Sequence, residues 1–420
     1  MKGDSWVYMV YSFDVFDTLI TRTTAEPKGI FLIMQEVLTQ DKKYVEEYSY
    51  VSEHFAEYRI SAEQEARKQA SRNKKEEICL YDIYTVLQRT CGLKEETIEE
   101  WMLLEQATEL QNVVPISKNI KRLKEYIVNH KVILISDMYL PSDSIRMMLC
   151  KFDAVFETIP IFVSCEVSKT KSSGSLYQHV LAQENINPKE WVHIGDNCHS
   201  DGMMVEQLGG KSTIESVCEL SQRDCLFLRD NSFRLEYQRT LGAVKCVRLQ
   251  SEKKALADIV GLEIAAPILY GYVLWVLEKS IELGKHNLFF IARDGYILKE
   301  IADRIISFRK WDINTHYIYG SRMAWRTPFL LREPEVAKKW FLDNCRDYNF
   351  TELASELGVE KEELTCGLPE RLVESDVPFE SVTGKNRVCV SLYDNDELWE
   401  HIADKAKEKC KLTKGYIKQE

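Results

Sequence analysis

Three short apolar runs in the first half of the chain end on acids or hydroxyls. WVYMVYSF runs into Asp14 and Asp17-Thr18, VILI into Ser136-Asp137, and WVHIG into Asp196, with Asp201 five residues on. Short apolar runs separated by helical periodicity read as strands of a parallel sheet covered on both faces. Acids at the ends of such strands are costly to bury without a partner, and those carboxyl ends are where α/β sheets bind ligands. If the strands are neighbours, Asp14, Asp196 and Asp201 surround one point. That set offers oxygen ligands and neither thiolate nor imidazole, which suits Mg²⁺. Between the second and third strands lies Lys171, in SKTKSSGSLY, just before a helix that starts near Ser172 to Ser175. A cation and backbone N–H groups can face an anion there.

The pattern around these runs gives the organisation. From about Pro27 to Leu110 it is helical and charged, with almost no Gly or Pro, and reads as a helical insertion. After Pro115 strands and helices alternate: helix NIKRLKEYIVNH, strand KVILIS, helix PSDSIRMMLCKF, one or two short strands in AVFETIPIFVS, helix GSLYQHVLAQEN, strand EWVHIGD and helix DGMMVEQLG. The rhythm ends near Arg223 to Asn231. Beyond it HNLFFIARDGYILKEIADRII is a further strand-turn-helix unit, HYIYGSRMAWR a strand, and Glu335 to Glu420 a helical, charged stretch with one strand at RVCVSLYD. The polar end of the chain reads as that of a fragment.

At 420 residues the chain is long enough for two or three domains at about 150 residues each. A formal charge of -11 argues against a large nucleic-acid footprint. Twelve cysteines without metal or redox spacing fit free thiols of a reducing cytoplasm. The longest uncharged apolar run, Ile264 to Leu277, contains Pro267 and Gly271 and falls short of the ~20 residues of a membrane span, so a buried helix and no membrane contact are expected. That stretch packs on the first domain or on a second copy of the chain, which leaves the oligomeric state open.

SFDVFDTLITR, VILISD, Lys171 in KSSGSLY and HIGDNCHSD, in that order, resemble the four motifs of the haloacid dehalogenase (HAD) superfamily over about residues 6 to 215. The resemblance implies an α/β fold, a HAD-type Rossmann-like parallel sheet with an inserted helical cap, plus a second smaller α/β domain. The core would be residues 1–23 and 116–225, the C1 cap 24–115, and an incomplete C-terminal domain 232–420. It further implies Asp14 as nucleophile in phosphate monoester hydrolysis, with Ser136 and Lys171 on the phosphoryl oxygens. Mg²⁺ would be held by Asp14, Asp196, Asp201 and the main-chain carbonyl of Phe16, and the partner would be a small phosphorylated metabolite. Thr18, Asp137 and Arg59 are substrate-binding candidates.

One departure bears on activity. The usual second Asp, two residues after the nucleophile, is Phe16 here, and Asp17 stands where the family has Gly. Either Asp17 substitutes as acid, or the leaving group needs none, or the domain is a weak or inactive phosphate-binding or scaffolding module. Arg59, Glu63 and Arg67 share one helix face as an ion-pair ladder, or else an arginine leans over the site. His193 and His199 receive no role. Arg293-Asp294-Gly295 and Ser321-Arg322 form an anion pocket or a turn with a buried ion pair.

Overall fold

The computed structural model describes residues 9–250, 255–320, 329–344, 348–366, 368 and 390–417, and divides into two units, Met1–Pro267 and Ile268–Glu420. In the first, strands β1 (Val10–Phe13), β4 (Lys131–Ser136), β5 (Ile161–Val163), β6 (Trp191–Gly195) and β7 (Lys211–Ile214) form a parallel sheet in the order β5-β4-β1-β6-β7. Alternate side chains enter opposite cores, as the pleat requires. Val132 and Leu134 join the cluster shared with the inserted helices, whereas Ile133 and Ile135 pack with Leu176, Tyr177 and Trp191. The strand order reverses around β1, so the crevice at its carboxyl end is the ligand position of an open sheet. Strand β7, with the polar sequence KSTI, was not visible as a strand in the sequence pattern.

A two-stranded antiparallel stalk, β2 (Ile20–Arg22) with β3 (Val113–Pro115), carries the insertion. Its helices are α1 (Gly29–Gln40), α2 (Lys42–Glu53), α3 (Phe55–Arg72), α4 (Leu80–Cys91) and α5 (Glu95–Gln111). Ala62, Ala66 and Ala70 are buried at i, i+4 spacing on α3, which places small side chains along one stripe of that helix. The remaining elements up to α10 wrap the sheet: α6 (Ser117–Ile127), α7 (Ser142–Cys150), α8 (Ser164–Val167), α9 (Ser175–Gln183) and α10 (Met204–Gln207).

The first unit runs past the boundary expected near residues 225–232. After α11 (Gln222–Arg229), helix α12 (Leu235–Gln250) docks on the root of the stalk. Lys245 donates to the Thr24 carbonyl, and Gln238 holds Ala25 and Glu26. Gly242 permits this contact, because a Cβ there would collide with backbone atoms of Thr23 and Thr24. Gly242→Ala is therefore expected to cost about 1–3 kcal/mol of stability through overpacking, read by urea unfolding; an unchanged midpoint would remove this account of the docking.

The helical path Leu256–Glu282 is continuous across Pro267, unlike the interrupted run read from sequence. A π-helical stretch, Gly261–Ala265, immediately precedes Ala266–Glu282 and accommodates a proline that lacks its N–H and would clash with an ordinary preceding turn. The expected buried helix is also corrected. Ile264, Ile268, Tyr270, Tyr272 and Trp275 are exposed, while Val273 and Leu277 are buried. By length and composition alone this helix is sufficient to cross a membrane.

In the second unit the expected strand-turn-helix unit and following strand are β8 (Asn287–Ile291), a helix at Gly295–Arg309 and β9 (Asn314–Ile318), and the two strands pair in parallel. Helices Pro334–Asn344, Phe350–Leu357 and Asp396–Ile417 supply a separate core of Phe341, Phe350, Leu353, Trp399 and Ile402. The strand expected at RVCVSLYD is not formed at Val390–Tyr393, which is helical; Arg387 to Cys389 lie outside the described residues.

Candidate active site

Asp14 follows the last residue of β1, and its N–H donates to the Ile194 carbonyl at 2.8 Å, which ties it to β6. The chain then turns tightly: the N–H groups of Leu19 and Ile20 both donate to the Val15 carbonyl, and Asp17 has φ 59°. Aspartate tolerates that left-handed conformation better than most residues. From this turn Thr18 Oγ1 donates to Asp14 Oδ2 at 3.1 Å. Asp201 sits on a π-helical turn, Cys198–Met203, and its Oδ2 accepts from the Asn197 N–H. A side chain at Gly195 would collide with the Asp201 carboxylate, so that glycine is required where β6 meets the site.

Lys171 joins the two acids. Its Nζ donates to Asp14 Oδ1 at 2.5 Å and to Asp201 Oδ1 at 2.7 Å, with all three residues buried. One carboxylate oxygen from each of Asp14, Asp196 and Asp201 lies within 4.8 Å of the others. Burial pushes the Asp14 carboxyl up to about 7, against the pull of Lys171 and with the push of Asp201 and Asp196. Burial, Asp17 and Asp201 raise Asp196 to about 6. Burial also works against the Asp201 anion, but Lys171 and His193 beside it hold that carboxyl well below the ordinary range. Lys171 stays charged despite its burial, through Asp14 and its other acidic neighbours. With all three carboxylates ionised, one ammonium leaves two uncompensated negative charges, the charge of one divalent cation, and the all-oxygen donor set fits Mg²⁺.

Asp14 and Asp196 titrate above the ordinary 3.8, so their contribution to stability is complete below that value and is lost as pH rises through about 6 and about 7. Asp201 runs the other way, its contribution present above the ordinary value and lost only in stronger acid. Mg²⁺ is expected to raise Tm more at about pH 8 than at about pH 5, where protons compete for Asp14 and Asp196; equal shifts would contradict this.

Ser136, buried, ends β4 at the same sheet edge, one strand from Asp14. Asp137 accepts the Lys171 N–H at 2.8 and 3.0 Å, so it holds the backbone of the lysine loop rather than facing outward. Thr18 is engaged with Asp14, and Asp17 Oδ1 accepts from Thr21 Oγ1 at 2.5 Å. The half-buried Phe16 ring lies against the Arg22 guanidinium, 4.3 Å from ring centroid to Cζ. Of the two lysines in SKTKSSGSLY, Lys169 and Lys171, it is Lys171 that meets the acids.

Arg59 is corrected. It is 0% exposed, and its guanidinium is shared between Glu105, at 2.7 and 2.8 Å, and Glu63. That ion pair belongs to the interior of the cap and is unavailable to a substrate. Arg293, at φ 78°, donates its N–H to the Tyr317 hydroxyl; among the described residues no ion pair joins it to Asp294, and Ser321-Arg322 lie outside them.

Sequence reasoning missed a buried network behind the acids. Asp201 Oδ1 also receives Tyr177 OH and His193 Nε2, each at 3.2 Å, while His193 Nδ1 meets Ser12 Oγ, which in turn accepts from Trp191 Nε1. The available signal was the Tyr six residues beyond Lys171 and the polar pair Ser12 and His193 within otherwise apolar strands.

No protein-family profile and no curated protein matches the chain. Solved structures do. L-2-haloacid dehalogenase from Xanthobacter autotrophicus is 14% identical with a TM-score of 0.37, over 53% of this chain and 82% of that one. A HAD-family enzyme from Bacteroides thetaiotaomicron, solved with magnesium and inorganic phosphate, is 15% identical at TM-score 0.34, over 51% and 98%. The 2-haloacid dehalogenase from Pseudomonas syringae is 13% identical at TM-score 0.36, over 51% and 89%. Strand order and the inserted helices give the first unit a Rossmann-like, doubly wound α/β fold, with the site at the carboxyl end of β1.

Proposed function

We propose that the first unit is a Mg²⁺-dependent phosphohydrolase that cleaves a small phosphorylated metabolite through an aspartyl-phosphate on Asp14. The observation that carries this reading is Lys171 bridging Asp14 and Asp201 beside Asp196. A carboxylate cannot approach a phosphate dianion unless cations neutralise both. Asp14, Asp196 and Asp201 would hold Mg²⁺, with the Phe16 carbonyl as a further ligand, and the ion would supply charge neutralisation at the phosphoryl group.

Asp14 attacks phosphorus as the bond to the leaving oxygen breaks, and water then cleaves the acyl phosphate to release inorganic phosphate. Lys171 and Ser136 stabilise the phosphoryl oxygens, and Thr18 orients the nucleophile. The excess of carboxylates favours a metal-dependent phosphatase over metal-free dehalogenation. The free thiols of all ten described cysteines fit a reducing cytoplasm.

The Phe16 ring against Arg22 favours a second reading, a phosphate-binding module that does not turn over, because that position offers no proton to a leaving group. A screen of phosphate monoesters with Mg²⁺, wild type against Asp14→Asn, separates the two. Turnover lost in the variant supports the enzyme, and equal background in both supports the module.

A further inference from the structure

The linker between α3 and α4 reaches from the cap onto the loop that carries Lys171. Glu76 Oε2 accepts from Ser173 Oγ at 2.6 Å, Ser175 Oγ at 2.5 Å and the Thr170 N–H at 3.2 Å. Its neighbour Glu77, buried, accepts from Arg67 at 2.7 Å and from Ser164 Oγ at 3.0 Å. Ser164 Oγ in turn accepts from the Met138 N–H, just beyond β4. The Lys171 loop is therefore gripped twice: its backbone by Asp137 from the core, and its hydroxyls by Glu76 from the cap.

We propose that Glu76 is a positioning residue for Lys171, so that seating the cap linker on the Thr170–Ser175 loop sets the lysine against Asp14. One carboxylate that gathers two hydroxyls and an N–H from a loop of six residues replaces a mobile turn by a fixed one. The hydroxyls of Ser173 and Ser175 also hold the Glu76 carboxyl below its ordinary value, which agrees with an ionised acceptor at this joint. Through this joint the cap acts on the position of Lys171. The kinetic part of this inference rests on the phosphatase reading; the geometric part does not.

The experiment uses the full chain and compares wild type, Glu76→Ala, Glu76→Gln and the double Ser173→Ala, Ser175→Ala variant. Lysine acetylation by a water-soluble succinimidyl ester is followed by mass spectrometry, with Lys169 as the internal reference for Lys171. Glu76→Ala is expected to speed Lys171 labelling relative to Lys169 about tenfold, with Glu76→Gln intermediate. An unchanged ratio overturns the proposal. If Glu76→Ala does not fold, the double serine variant decides by the same ratio.

Where the wild type has Asp14-dependent turnover, kcat should fall about tenfold in Glu76→Ala with KM nearly constant. A full kcat alongside faster labelling overturns the positioning role. Absence of Asp14-dependent turnover in the wild type counts against the phosphatase reading alone, and the labelling ratio still decides the contact.

Discussion

Arg59→Met is expected to lower the stability of the first unit by about 3–5 kcal/mol in urea unfolding, the usual cost of breaking a buried ion pair by removing one partner. The guanidinium makes a bidentate pair with Glu105, which also accepts from the Tyr84 hydroxyl at 2.8 Å, and Glu105 is itself fully buried. Phe31 and Tyr139 lie within 4.5 and 4.9 Å of the charge. Without the arginine, an anion is left among aromatic rings. Pairing the change with Glu105→Leu should recover most of the loss, since a well-packed apolar replacement removes both buried charges. A single-variant loss below about 1 kcal/mol, the range of an exposed pair, would contradict the burial described for this group.

Lys171→Met separates two tasks of one ammonium. Turnover on any phosphate monoester found by the screen is expected to fall by about 10²–10³, the cost of losing one preorganised donor to the reacting oxygens. In metal-free buffer the variant should also melt lower, because Asp14 and Asp201 lose the cation they share. Mg²⁺ should restore much of the melting temperature and none of the rate. Restoration of both by metal alone would mean that Lys171 serves only charge balance.

Much of the site could be read from the sequence because its physics is local. An acid directly after a buried strand has few structural uses, and β4 runs over the same six residues that the apolar pattern marks, Lys131–Ser136. The meeting of Asp14, Asp196 and Asp201 needed only the assumption that the strands are neighbours.

What escaped depends on contacts between distant residues. Periodicity places Arg59, Glu63 and Arg67 on one helix face but carries no information about whether that face looks into the cap or over the site. The docking of α12 turns on the space at Gly242, set by Thr23 and Thr24 more than two hundred residues earlier. Pro267 signals a break, yet the π-helical stretch before it lets the helix continue. Strand β7 is a polar sequence that pairs only because β6 offers its free edge.

The most direct test of the central claim is a covalent trap at Asp14. The full chain, mixed with Mg²⁺ and a phosphate monoester that it consumes, is quenched in acid within one turnover, digested and sequenced by mass spectrometry. The account predicts one phosphoryl group on the peptide that contains Asp14, absent in Asp14→Asn and sensitive to hydroxylamine as an acyl phosphate must be. Steady turnover with that peptide unmodified, or a phosphoryl group found on another residue, would contradict it.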